Sequence, residues 1–239
     1  MNKEVTSWKS KKLFEDITPF TLLDFEKYPS IILWFKGCNM RCDFCYNTEI
    51  VNGNGKFSFD EIESFLNSRK NLIKGVVLCG GEPTIHKEII EICKILKNEY
   101  NFKVKLDTNG LNSTIMKNLL KNDLIDYVAL DFKSPFEKFK TITKSHPSNY
   151  KSFIETLRLL NESKISFEVR TTFHDKLLSL DDIYSMLDLL ERIKYRGIFY
   201  IQDFILGKNT FGNLDSSNGT NLSNKIKKKY SFKIRFRNF

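Results

Sequence analysis

Residues 102–132, FKVKLDTNGLNSTIMKNLLKNDLIDYVALDF, hold two short apolar runs, FKVKLD and DYVALDF, on either side of NSTIMKNLLKN, whose apolar residues recur at helical spacing. A strand, a helix and a second strand in that order require the two strands to pair in parallel, through a right-handed crossover. The same alternation extends in both directions. Further strands are predicted at SIILWF (30–35), GVVLC (75–79), SFEVRTTF (166–173) and GIFYIQDF (197–204). Helical spacing returns in SFDEIESFLNSRK, where Ser58 stands three residues before Glu61 as a capping box and Ile62, Phe65 and Leu66 share a face. HKEIIEICKILKNEY stacks Ile89, Ile90, Cys93, Leu96 and Tyr100, and NYKSFIETLRLLNES and SLDDIYSMLDLLERIK follow the same rule, the last opening with Ser179 three residues before Asp182.

Six strand–helix units make an α/β protein with fewer units than the eight of a closed barrel. A partial (β/α)6, TIM-like barrel fits better than a flat doubly wound sheet, because polar residues follow several strands instead of gathering at one switch point. The expectation is one domain over 1–239, with the barrel at about 28–206. Beyond it, GKNTFGNLDSSNGTNLSN (207–224) reads as a mobile loop. In the basic tail, Lys233, Arg235 and Arg237 alternate with Phe232, Ile234 and Phe236, which reads as a half-buried edge strand ahead of a nucleic-acid contact.

A chain of 239 residues, 41% hydrophobic and 13% aromatic, is enough for one sizeable core. No run approaches the roughly 18 apolar residues of a membrane span, and MNKEVTSWKSKK lacks the apolar block of a secretory signal, so a cytoplasmic protein without a membrane partner is expected. The net charge of +9, from 38 Lys and Arg against 29 Asp and Glu, suits an acidic protein surface, a nucleic acid or a phosphorylated small molecule. That charge is widely spread.

Three of the five cysteines fall in CNMRCDFC, at Cys38, Cys42 and Cys45. The chance of two further cysteines at specified positions is roughly 0.02 squared, about 4 in 10,000, so the spacing points to metal chemistry. Three thiolates hold three positions of a zinc or three irons of a cubane 4Fe–4S cluster. A closed zinc site would draw its fourth ligand from His86, His146, His174, Cys79 or Cys93, none of which offers a paired clip. The other reading leaves the fourth position open to an exchangeable ligand.

CNMRCDFC, with an aromatic Phe44 before its last cysteine, resembles the signature of the radical S-adenosylmethionine enzymes. The resemblance implies the radical SAM fold, a 4Fe–4S cluster on Cys38, Cys42 and Cys45, and S-adenosylmethionine on the fourth iron. One electron would then cleave the sulfonium to a 5′-deoxyadenosyl radical. VVLCGGEPT resembles the motif that receives the methionine amino group, implicating Gly80, Gly81 and Glu82; two glycines permit close backbone approach and a carboxylate accepts from an ammonium. Cys79 departs from the Ser or Thr common before that motif and is expected to pack as a small residue, and Cys93 to lie in the core.

VKLDTNG (104–110) and DYVALDFK (126–133) resemble a narrower group, the glycyl-radical-enzyme activating enzymes. That likeness implicates Asp107, Thr108 and Asp131 in a monovalent-cation site, and Asp107, Asn109 and Lys133, with Phe44 of the cysteine motif, at the S-adenosylmethionine ligand, although Ala129 replaces the group's Met. Arg170 in FEVRTTFH would lie near the same ligand or pair with a structural carboxylate; Gln202 would face the site or cap the barrel, and His174 is the histidine placed to face it. Over most of its length the chain resembles anaerobic ribonucleoside-triphosphate reductase activating proteins, which implies a glycyl-radical enzyme as partner and a flavodoxin- or ferredoxin-type electron donor. Rival readings are activation of pyruvate formate-lyase, modification of a tRNA base or purine-derived small molecule, and a cluster-bearing electron carrier or sensor.

Overall fold

The computed structural model describes residues 8–206, 209–217 and 222–238. Strands β1 (Lys12–Thr21), β2 (Ser30–Phe35), β3 (Phe57–Ser58), β4 (Gly75–Gly80), β5 (Lys103–Thr108), β6 (Tyr127–Asp131), β7 (Ser166–Phe173), β8 (Ile198–Asp203) and β9 (Lys233–Arg237) alternate with helices. These are α1 (Thr48–Asn52), α2 (Phe59–Arg69), α3 (Ile89–Asn98), α4 (Ser113–Lys121), α5 (Phe136–Thr143), α6 (Tyr150–Glu162), α7 (Leu180–Arg192) and α8 (Leu222–Lys225). All six predicted strands are present to within one residue at each end, and the capping boxes of Ser58 with Glu61 and Ser179 with Asp182 both form.

The chain packs as two compact units, Met1–Asn39 with Glu49–Thr108 and Thr114–Val128, and Met40–Thr48 with Asn109–Ser113 and Ala129–Phe239. In the first, the strands neighbour one another in the order β3-β1-β2-β4-β5-β6, β6 entering with Tyr127 and Val128. β1 runs antiparallel to β2 and β3, whereas β2, β4 and β5 are parallel, with Phe35 opposite Gly80 and Leu78 opposite Leu106. Val76, Val77 and Leu78 are buried in succession, as expected of a parallel strand covered on both faces. In the second unit the order is β6-β7-β8-β9, and β9 is parallel to β8 at the edge, as its alternating tail sequence predicts.

Four local expectations differ. Sequence periodicity does not reveal β1, because register shifts after Phe14 and Thr18 break its alternation and bury Leu13, Phe14 and Glu15 in a row. On α3 it is Ile92 that is buried, while Ile90 is half-buried and Tyr100 lies past the helix end, stacked on Phe102. The stretch predicted as a mobile loop is tied down where described: Gly212 N donates to Asp43 O at 2.9 Å, Ser217 Oγ to Asp203 at 3.0 Å, Thr210 is buried, and α8 follows. Positions 207–208 and 218–221 lie outside the described residues. The short helix α5 was not expected at all; β-branched Thr141, Ile142 and Thr143 weaken its helical signature. No helix among the described residues is long and apolar enough to cross a membrane.

The first capping box carries a pH dependence. The Lys12 ammonium 2.6 Å from the Glu61 carboxylate, with the Ser58 N–H and O–H, holds that carboxyl down to about 2 from an ordinary 4.5. A depressed carboxyl stabilises the fold above its unfolded value and loses that contribution as pH falls through its folded value, here between pH 4.5 and about 2. The Glu61 side-chain carbonyl is therefore expected to titrate near 2 by NMR and to move upward in Lys12→Met; a wild-type midpoint at the ordinary value would contradict the assignment.

Candidate functional site

The chain end of β2 and the chain end of β4 meet backbone to backbone in the first unit. Gly81 N donates to Phe35 O at 2.8 Å and Glu82 N to Gly37 O at 2.8 Å, one step past the last paired residues of the two strands. A Cβ on Gly81 would lie 1.7 Å from Gly37 O; on Gly80, whose φ is +123°, it would lie 2.4 Å from Phe35 N and O. The two glycines thus serve the contact between this turn and the segment entering Cys38, a role beyond the close approach to a ligand expected from sequence.

Glu82 follows, buried to 1% exposure. Its Oε1 accepts from Thr84 N at 3.1 Å, Thr84 Oγ1 at 2.6 Å and Thr108 Oγ1 at 2.7 Å, so the end of β5 fixes the carboxylate at the end of β4. Asp107 lies one residue before Thr108, and its Oδ1 is 3.4 Å from the Lys105 ammonium. Cys79 packs, partly buried, beside Phe25, Ile32 and Val77, and Cys93 is fully buried. His86 Nε2 bonds to Lys36 O at 2.8 Å.

The second unit carries Cys42, Phe44 and Cys45. Cys45 N donates to Cys42 O at 2.9 Å, closing a tight turn between these two cysteines. The C-terminal carbonyls of α5 take the backbone on either side of Cys42, Arg41 N donating to Thr143 O at 2.8 Å and Asp43 N to Ile142 O at 3.0 Å. Lys144, which ends that helix in the left-handed region at φ 58°, clamps the Asp43 carboxylate at 2.8 Å. Phe44 and Met40 are both 4% exposed, and Met40 Sδ is 3.8 Å from Cys42 Sγ.

Beside this loop, Asp131 at the end of β6 receives Arg170 Nε and Nη2 at 3.0 Å on Oδ1 and Lys133 Nζ at 3.0 Å on Oδ2. Burial works against the Asp131 charge, but Arg170 and Lys133 outweigh it and hold the carboxyl below the usual aspartate value. Lys133 lies 5.5 Å over the Phe44 ring; burial opposes its charge, but Asp131 and the thiols of Cys42 and Cys45 hold its ammonium above the ordinary lysine range. Asn109 is buried, its Oδ1 accepting from Leu111 N at 3.0 Å.

The site residues predicted from sequence divide between the units: Cys38, Gly80, Gly81, Glu82, Asp107 and Thr108 in the first, Cys42, Phe44, Cys45, Asn109, Asp131, Lys133 and Arg170 in the second. His174 is reassigned. It is fully buried, Nε2 meets Asp215 O at 3.1 Å and Nδ1 accepts from Lys176 N at 3.1 Å, so both nitrogens serve the fold. Lys105 and the end of α5 were missed. Strand period places Lys105 on the face of Asp107, a signal present in KVKLDT, whereas nothing in the short α5 sequence marks its end as an anchor.

The donor set suits an iron–sulfur cluster. None of the three loop cysteines is tied up in a disulfide, so all three sulfurs are of the type a cubane takes. Among the described residues no group of three or more His, Cys, Asp or Glu side chains is gathered for a single metal ion; the thiolates of a cubane each bind a different iron. Gly81→Ala is expected to destabilise the protein by about 1–3 kcal/mol through overpacking and to lower iron incorporation; unchanged urea unfolding together with full iron loading would refute the clasp.

Comparison with known proteins agrees with this geometry. Residues 32–190 match the family model of the Radical SAM superfamily. A Methanocaldococcus jannaschii protein named a "putative glycyl-radical enzyme activating enzyme" is 32% identical over 199 residues, 81% of this chain and 80% of that protein. The 7-carboxy-7-deazaguanine synthase of Clostridium acetobutylicum is 28% identical over 125 residues, 51% of this chain and 54% of the synthase. Among solved structures, Streptococcus suis SuiB bound to S-adenosylmethionine superimposes with a TM-score of 0.65 at 16% identity, covering 86% of this chain and 51% of SuiB; it shares the fold. That fold, a parallel α/β partial barrel with its cysteine loop after the first parallel strand, and the family match over 32–190 place this chain in the radical SAM superfamily, whose members use a 4Fe–4S cluster and S-adenosylmethionine.

Proposed function

We propose that this chain is a glycyl-radical-enzyme activating enzyme whose partner is anaerobic ribonucleoside-triphosphate reductase. The observation that carries the activating role is the likeness to the Methanocaldococcus jannaschii relative, which extends over four fifths of both chains and so is not confined to the cysteine motif. The choice of the reductase rests on the sequence resemblance alone. A purine-derived substrate is the second reading, favoured by the match to the deazaguanine synthase, but that match is lower in identity and covers half of the chain.

In this reading Cys38, Cys42 and Cys45 hold three irons, and Gly80, Gly81, Glu82, Asn109, Lys133 and Arg170 bind S-adenosylmethionine. When bound, these two groups supply one-electron cleavage of the sulfonium and with it the 5′-deoxyadenosyl radical. The chain's own part is orientation and exclusion of water. Glu82 offers a carboxylate to an ammonium from a position fixed by Thr84 and Thr108, while Lys133 and Arg170, both held by Asp131, offer positive charge to a carboxylate. Because these groups are oriented before the ligand arrives, little side-chain entropy remains to be lost on binding. The buried Met40, its sulfur 3.8 Å from that of Cys42, keeps water from that sulfur.

A flavodoxin- or ferredoxin-type donor supplies the electron. The test is anaerobic incubation of the cluster-loaded protein with S-adenosylmethionine, reductant and the reductase encoded in the same genome. A glycyl-radical doublet in the EPR spectrum of the reductase is the expected result. A doublet on pyruvate formate-lyase alone would reassign the partner, and turnover of a purine-derived substrate with no doublet on either enzyme would overturn the activating role.

A further inference from the structure

The basic tail occupies a place in the second unit that the proposed chemistry leaves unused. Arg170 of β7 stands level with Tyr200 of β8 and Arg235 of β9, and one step further along Thr172, Gln202 and Arg237 are level in the same way. Paired residues of a parallel sheet, and residues two apart on one strand, share a face. Side-chain contacts run across that face without a break. Arg170 Nη2 meets Asp131 Oδ1 at 3.0 Å, Arg170 and Arg237 lie 4.0 and 3.6 Å from the two oxygens of Glu168, and the Arg237 guanidinium sits 3.5 Å over the Tyr200 ring. Asp131 is thus joined through two arginines to the last strand.

The opposite face of β7 and β8 is core, with Val169, Thr171, Phe199 and Ile201 buried. The face that carries Asp131 is polar and only partly covered: Arg170, Tyr200 and Gln202 are half-buried, and Arg235 is exposed, with no ion pair among the described residues. Lys133, Arg170, Arg235 and Arg237 outnumber Asp131 and Glu168 on it, so positive charge remains after the internal pairs are counted. An anionic ligand is its complement. The face is built from strand side chains, a tyrosine and a carboxamide among them, which suits the carboxylates and amide groups of an extended peptide. A phosphate is more at home on the backbone N–H groups of a helix N-terminus or glycine-rich turn, and this face has neither.

We infer that β8 and β9 form the wall along which the radical-accepting partner lays its reacting segment, and that Arg235, beside Tyr200 and Gln202, binds a carboxylate side chain of that segment. The inference rests on the activating role and names the chemistry the partner must bring. The cluster-loaded protein is incubated anaerobically with S-adenosylmethionine, a chemical reductant and increasing amounts of the reductase from the same genome. The rate of glycyl-radical formation is followed by EPR, and 5′-deoxyadenosine release is measured in parallel without the reductase. Arg235→Glu is expected to raise the KM for the reductase about ten-fold or more, Arg235→Lys to stay within about three-fold of the wild type, and the wild-type KM to rise with added salt. Release of 5′-deoxyadenosine without the reductase is expected to match the wild type in both variants, because β7 and β8 separate β9 from Asp131 on β6. An Arg235→Glu protein with the wild-type KM, or a wild-type KM indifferent to salt, would overturn the inference. A wild type that releases 5′-deoxyadenosine but puts no radical on the reductase at any concentration would instead overturn the activating role itself.

Discussion

The backbone clasp between Phe35–Gly37 and Gly80–Glu82 is the constraint on which the first unit's half of the chemistry depends. It prolongs the parallel register of β2 and β4 past the sheet, and it carries Cys38 beyond one end and Glu82 at the other. The spacing of Cys38 from the Glu82 carboxylate is thereby set by strand register, which core packing enforces, instead of by a loop free to move. Two side-chain-free residues in succession are the condition for it, since a methyl group at Gly81 would overlap the Gly37 carbonyl. In the second unit the counterpart is the end of α5, whose carbonyls hold the amides of Arg41 and Asp43 on either side of Cys42.

Charge is arranged with the same economy of motion. Glu82 and Asp131 would each be costly to bury alone, and each has neighbours that hold it in place: two hydroxyls and an amide for the first, a guanidinium with an ammonium for the second. In the first unit Thr108 of β5 holds the Glu82 carboxylate, and in the second Arg170 of β7 and Lys133 hold Asp131, so each unit orients its own charges. In the second unit Lys133 joins Asp131 to the cysteine loop, its ammonium on the carboxylate and over the Phe44 ring.

Much of this was legible in the amino-acid order, and the exceptions share a cause. The six predicted strands, the two capping boxes and the edge strand β9 announce themselves because local period, turn residues and burial agree. The cysteine spacing and GGEP block are legible because they are local motifs. β1 was hidden because its bulges shift the face of each residue, and α5 because its stability comes from burying Phe139 and Ile142 more than from propensity. Contacts between residues far apart in the chain were invisible: Gly212 on Asp43, Asp215 on His174, and Gly81 on Gly37. For that reason the sequence alone reads 207–224 as a mobile loop and turns His174 toward the site, whereas the described residues 209–217 are hydrogen-bonded and His174 is buried against Asp215.

The measurement closest to the central claim is the release of 5′-deoxyadenosine from S-adenosylmethionine by the anaerobically reconstituted protein in the presence of a low-potential reductant. With the cluster on Cys38, Cys42 and Cys45, the account predicts 5′-deoxyadenosine and methionine in equal amounts from the wild type and neither from Cys42→Ala. An intact cluster that yields no 5′-deoxyadenosine, or a Cys42→Ala protein that still produces it, would contradict the account.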